Sequence, residues 1–80
     1  MKIPRDLSAE QLIRLLMKYG YSVTRQTGSH IRLTSQIKGE HHITIPNHSP
    51  IKLGTLSAIV SEVATYLGKT KNELMDELFE

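Results

Sequence analysis

The sequence predicts an α+β domain of two layers, a three-stranded antiparallel sheet with helices on one face, in the order α-β-β-β-α(-α). Three observations carry this. Apolar residues recur at helical spacing before residue 20 and again after residue 55, they alternate with polar residues between about residues 21 and 46, and Gly20, Gly28, Gly39 and Gly68 stand where the pattern breaks. At 80 residues the chain has room for one small core, so residues 1–80 are expected to form a single domain.

The first helix is expected to begin at Ser8-Ala9-Glu10-Gln11, which has the form of a capping box. Ala9, Leu12, Ile13, Leu16 and Met17 form its apolar stripe, Glu10, Arg14 and Lys18 its polar face, and Gly20 suits the left-handed residue that closes it. Three strands follow, in "YSVTRQ", "HIRLTS" and "HHITIP". Val23, Ile31, Leu33, Ile43 and Ile45 belong to the covered face; His30, Arg32, Thr34, His42 and Thr44 belong to the other. Pairing Leu33 with Ile43 and Ile31 with Ile45 keeps the faces distinct, and sets Arg32 beside Thr44, Thr34 beside His42 and His30 beside Pro46. Ile37-Lys38-Gly39 then closes the hairpin, with Gly39 in the left-handed position of a three-residue connection. Thr55 is the expected cap of the second helix, with Leu56, Ile59, Val60, Val63, Ala64 and Leu67 as its stripe and Gly68 as its stop. Thr70-Lys71-Asn72-Glu73 is a second capping box, opening a short helix with Leu74, Met75, Leu78 and Phe79 apolar. The double-stranded-RNA-binding fold has this layout, although order alone assigns no function.

Composition narrows the classes of function. The absence of cysteine excludes a disulfide framework and thiolate metal sites and fits a reducing compartment. No apolar run is long enough to span a bilayer, and "MKIPRDLSAEQ" lacks the apolar stretch of a secretion signal, so a cytoplasmic protein with no membrane association is expected. The net charge of +2 conceals an asymmetry: residues 1–71 hold all ten Lys and Arg against four acids, and residues 72–80 hold four acids and no base. A basic body points to a polyanionic partner, although an ordinary solvated surface has similar charge.

The histidines follow from the register. His30 re-enters a strand directly after Gly28-Ser29, a pair that allows a sharp turn whose backbone N–H groups can approach phosphate. His48 lies two residues beyond Pro46 and so within reach of His30. Two imidazoles beside Arg32 suit RNA cleavage by attack of a 2′-hydroxyl on its own phosphorus, a reaction that needs proton carriers with pKa near neutrality and cations around the phosphoryl oxygens. Neither a metal nor another cofactor is required. The alternative for His30 is an exposed strand-end residue with no task, and His48 could simply cap its loop. His41 and His42, adjacent in a strand, point to opposite faces and cannot chelate as a pair. His42, His48 and Glu40 match no closed zinc site. Tyr19, Tyr21 and Tyr66 could stack on bases, core or rim packing being the commoner fate of scattered aromatics.

With these residues identified, the chain resembles the HicA family of small toxin ribonucleases, also described as YcfA-like proteins, from the first helix to the last. The resemblance rests on Gly20-Tyr21, Arg25-Gln26 before Gly28-Ser29-His30, Ile45-Pro46-Asn47-His48, and Gly54-Thr55-Leu56, in that order and spacing. It departs from the family's pattern where members often carry a lysine directly before Gly-Thr-Leu: here Leu53 stands there, with Lys52 one place earlier. The resemblance implies a double-stranded-RNA-binding-like fold, cleavage of mRNA, a catalytic role for His30, and a HicB-type antitoxin that covers the site. The expectation is therefore a metal-independent endoribonuclease toxin of a type II toxin–antitoxin system. His30 is catalytic, His48 a possible helper, Gly28 and Ser29 the turn that presents the site, and Arg32, Lys52, Arg25, Arg14 and Lys18 the candidate RNA contacts. The alternative is a non-catalytic RNA-binding module of the same fold, and an interaction domain for a protein partner is a third possibility.

Overall fold

In the computed structural model, which describes residues 4–79, the first helix, α1, spans Ala9–Leu16. The Ser8 hydroxyl accepts the Gln11 backbone N–H at 3.1 Å, while the Gln11 side-chain oxygen accepts the Ser8 N–H at 2.9 Å, the reciprocal pair expected of a capping box. A 3₁₀ turn, Met17–Tyr19, tightens the helix end before Gly20 closes it at φ 84°. The tighter winding rotates Met17 off the apolar stripe, so it is 58% exposed rather than in the core as the spacing predicts.

The sheet has the order β1-β2-β3, with β1 Ser22–Thr27, β2 His30–Ser35 and β3 His41–Pro46, all neighbours antiparallel. Between β2 and β3 every predicted pair is present: Ile31 with Ile45, Leu33 with Ile43, Arg32 with Thr44, Thr34 with His42 and His30 with Pro46. Ile31, Leu33, Ile43 and Ile45 are buried beneath the helices, and the residues between them lie half-buried or exposed on an open face. The connection is longer than predicted, running from Gln36 to Glu40, with Gly39 at φ 93° as expected.

Strand β1 departs from simple alternation. The register slips between Val23 and Arg25, so that Val23 opposes Leu33 but Arg25 opposes Arg32. Thr24 is the extra residue of a β-bulge, and beyond it every side chain changes face. Val23 keeps the face of the buried Leu33, yet is 49% exposed because it sits on an edge strand beside a groove shared with Ile13 of α1.

The second helix, α2, spans Leu53–Leu67. Its cap is Lys52, not Thr55: Lys52 has extended backbone and its carbonyl accepts the Leu56 N–H at 2.9 Å. Leu53 and Gly54 therefore complete a first turn that the apolar stripe, starting at Leu56, does not reveal. Leu56, Ile59, Val60, Val63, Ala64 and Leu67 are buried and Gly68 ends the helix at φ 72°, as predicted. The third helix, α3, spans Lys71–Phe79 behind the capping box of Thr70 and Glu73, and buries Leu74, Met75 and Leu78. Leu7 and Ile51, which belong to no periodic run, complete the core; the Ile51 N–H donates to the Leu7 carbonyl at 2.8 Å and closes the chain over the start of α1.

Candidate active site

The turn between β1 and β2 consists of Gly28 and Ser29, flanked by the Thr27–His30 pair. Gly28 has φ 58°, and no other residue of that turn has positive φ, the pattern of a II′ hairpin turn whose twist suits the strands it joins. A methyl group added at Gly28 would meet open space, so backbone conformation rather than packing demands glycine here. Ser29 is held from the far side. Its carbonyl accepts the Asn47 N–H at 2.6 Å, and one residue further along that loop the His48 carbonyl accepts the Ala9 N–H of α1 at 3.2 Å. Two short hydrogen-bonded links thus fasten the turn to the loop after β3, and that loop to the first helix.

His30 is the first residue out of this turn. It is exposed, opposes Thr27 and Pro46, and among the described residues no side-chain hydrogen bond engages its ring. An imidazole held on a fixed backbone and left unengaged is available to an incoming ligand. Arg32 lies two residues further along the same face, roughly 7 Å away at the rise of a strand. The bulge brings Arg25 opposite Arg32; without it Arg25 would point toward the helices.

The open face holds a second group of polar side chains beside this pair. The Thr24 and Thr34 hydroxyls lie 2.9 Å apart, Thr34 Oγ1 is 2.7 Å from His42 Nδ1, and His42 Nε2 is 2.6 Å from the Glu40 carboxylate. These residues, Gln36 and the two arginines line an open cleft of about 410 Å³. The hydrogen bond and charge of His42 hold the Glu40 carboxyl below the usual carboxylate range. Of this group the sequence places Thr34 and His42 on the open face, but nothing in it ties either to Glu40 or Thr24. The adjacency Glu40-His41-His42 is the only local signal.

The remaining candidates lie elsewhere. His48 is exposed in the loop after β3, its N–H donating to the Pro46 carbonyl at 2.8 Å, and no hydrogen bond joins it to His30. Lys52 is exposed at the cap of α2, whose first turn contains no acid. Arg14 and Lys18 border a shallow groove on α1 with Leu7, Gln11 and Leu15, and Arg14 is paired with Glu10 at 3.2 Å. The structure therefore gathers His30, Arg32 and Arg25 on the sheet and leaves Lys52, Arg14 and Lys18 on the helices.

His41 faces the helix layer, opposite to His42, as strand alternation requires. Its Nδ1 is 2.7 Å from the Tyr21 hydroxyl, its Nε2 is 3.3 Å from Glu62, and its ring stacks on Tyr66 at 4.5 Å between centroids. Tyr21 is buried in the core, and the Tyr66 hydroxyl donates to the Gly39 carbonyl at 2.6 Å. These tyrosines brace the hairpin rather than offering faces to a base. Among the described residues no three His, Asp or Glu side chains converge as metal ligands.

The family described as "HicA toxin of bacterial toxin-antitoxin" matches residues 9–65, from the start of α1 into the last turn of α2. No curated protein and no solved structure matches the chain.

Proposed function

Because the chain belongs to the HicA toxin family of bacterial toxin–antitoxin systems, we propose that it is a toxin acting as a histidine-dependent endoribonuclease on mRNA. The substrate's 2′-oxygen bonds to the adjacent phosphorus, and the bond from phosphorus to the 5′-oxygen of the next nucleotide breaks. One proton leaves the 2′-hydroxyl and one arrives on the departing 5′-oxygen, leaving a 2′,3′-cyclic phosphate and a 5′-hydroxyl. His30 carries one of these protons, and His48 or a water the other. The backbone N–H groups of the Gly28-Ser29 turn approach the phosphoryl oxygens on which charge builds, Arg32 and Arg25 bind the strand beside the scissile phosphate, and no metal or cofactor takes part. Lys52, Arg14 and Lys18 extend the cationic surface to the rest of the strand.

The observation that supports this reading best is His30 itself: exposed, unengaged, fixed by a glycine turn and next to two arginines with no carboxylate partner. A HicB-type antitoxin would silence the protein by covering this face, in the cytoplasm, and the fold would be of the double-stranded-RNA-binding type. Incubation of the purified protein with single-stranded RNA in the presence of a chelator tests the reading. Fragments ending in cyclic or 3′-phosphate are expected. Salt-sensitive binding without cleavage would instead make the protein a non-catalytic RNA-binding module.

A further inference from the structure

Arg25 and Arg32 face one another across neighbouring strands, an arrangement that costs stability because like charges lie directly opposite. Neither has a carboxylate within 4 Å among the described residues, although Glu40 lines the same cleft. What occupies Glu40 is His42, whose Nε2 stands 2.6 Å from the carboxylate. The imidazole is in turn fixed through Nδ1 by the Thr34 hydroxyl, itself 2.9 Å from that of Thr24 at the bulge. The one acid of the cleft is thereby held by His42, with the Gln36 side chain as a second partner, and although the charge of Arg32 acts on it, neither guanidinium group forms an ion pair with it. A bulge that turns an arginine toward another arginine, combined with a tether on the nearest acid, fits a site whose missing partner is an anion.

We propose that this cleft is a phosphate subsite in which Arg25 and Arg32 grip a non-scissile phosphate of an RNA strand, and in which His42 keeps Glu40 from neutralising them. The choice of RNA as the source of that phosphate rests on the ribonuclease reading of His30. The separation of roughly 7 Å along β2 from His30 to Arg32 is comparable to one phosphate-to-phosphate step of an extended strand, so the phosphate held here is a neighbour of the one cleaved. His42 is a positioning residue: it acts on the ligand through Glu40. The groups facing it are Glu40 and Gln36 from the hairpin connection, Thr34 and Arg32 from β2, and Thr24 and Arg25 from β1.

The test is fluorescence anisotropy with a labelled single-stranded RNA oligonucleotide, in a His30→Ala background so that nothing is cut. Arg25→Ala and Arg32→Ala should each weaken binding several-fold and reduce the salt slope by about one. His42→Ala should also weaken binding, because the released carboxylate then pairs with Arg32, and adding Glu40→Gln should restore most of the loss. A merely structural His42 would show no such rescue. A second arm leaves the protein fold untouched: oligonucleotides carrying one uncharged methylphosphonate linkage should lose affinity at a linkage next to the cleaved one, and this penalty should vanish in Arg25→Ala/Arg32→Ala. Unchanged affinity in the arginine variants, absence of rescue in folded His42→Ala/Glu40→Gln, or equal penalties at every linkage would each overturn the subsite. Cleavage is not read here, so the outcomes separate. A wild-type protein that binds in this way yet cuts nothing contradicts the nuclease alone, and one that cuts while its arginine variants bind as before contradicts the subsite alone.

Discussion

At the scale of the residue, the candidate site depends on Gly28. Its φ of 58° is a backbone conformation that side chains rarely adopt, at a cost of about 1–3 kcal/mol, and the space around it is open, so Gly28→Ala tests backbone conformation without a packing change. Thermal or urea unfolding should show a loss of about that size; a neutral Gly28→Ala would mean that the turn can adopt another type. Gly28-Ser29 and the face of His30 were legible in the sequence, since a tight turn between two alternating runs fixes both. The orientation of Arg25 was not. After Val23 the strand reads Thr24, Arg25, Gln26, Thr27, all polar, and a bulge in a run without apolar residues leaves no break in the pattern to reveal it. The tie between His42 and Glu40 was hidden for a related reason, because Glu40 belongs to the connection and has no assigned face.

At the scale of the element, α3 is joined to the end of α1 by a small ionic knot. The Tyr19 hydroxyl donates to Glu77 at 2.7 Å, and Lys69 Nζ meets the same carboxylate at 2.5 Å. Burial, aided by the hydrogen bond and charge of Glu77, pushes the Tyr19 hydroxyl up to about 12, while Lys69 and then Tyr19 hold Glu77 below the usual carboxylate range. The two shifts act at opposite ends of the pH scale. A raised tyrosine contributes stability that is complete below the ordinary tyrosine value of about 10 and is lost as pH rises toward about 12. A lowered glutamate contributes stability that is present above the ordinary carboxylate range and is lost as pH falls through its folded value. Melting temperature against pH should therefore fall at both ends, and Tyr19→Phe should flatten the alkaline fall; an unchanged alkaline limb would show that this contact does not tie the elements. The apolar side of α3 carries more weight than its charges. Leu74 is fully buried, and Leu74→Ala should cost about 2–5 kcal/mol, read as a shifted denaturation midpoint. Helix stripes and capping boxes were legible because each is a local pattern, whereas the cap of α2 and the exposure of Met17 depend on a first turn and a 3₁₀ turn that periodicity does not mark.

At the scale of the whole molecule, the chain divides its work between two faces. Helices and the apolar side of the sheet bury the core, and the open side carries a histidine, two arginines and a hydrogen-bonded group of Thr24, Thr34, His42 and Glu40. The register between β2 and β3, legible from alternation alone, is what gives every open-face residue its place. His30 stands apart from that hydrogen-bonded group. Its side chain is exposed and, among the described residues, its ring makes no hydrogen bond, so replacing it should change folding free energy by no more than about 0.5 kcal/mol, the usual range for an exposed side chain. Cleavage of RNA by His30→Ala, compared with wild type at matched folded fraction and RNA occupancy, reads out whether His30 carries a proton in the reaction. Loss of cleavage in a variant that melts like wild type and still binds RNA is the predicted result, and undiminished cleavage by that folded variant would contradict it.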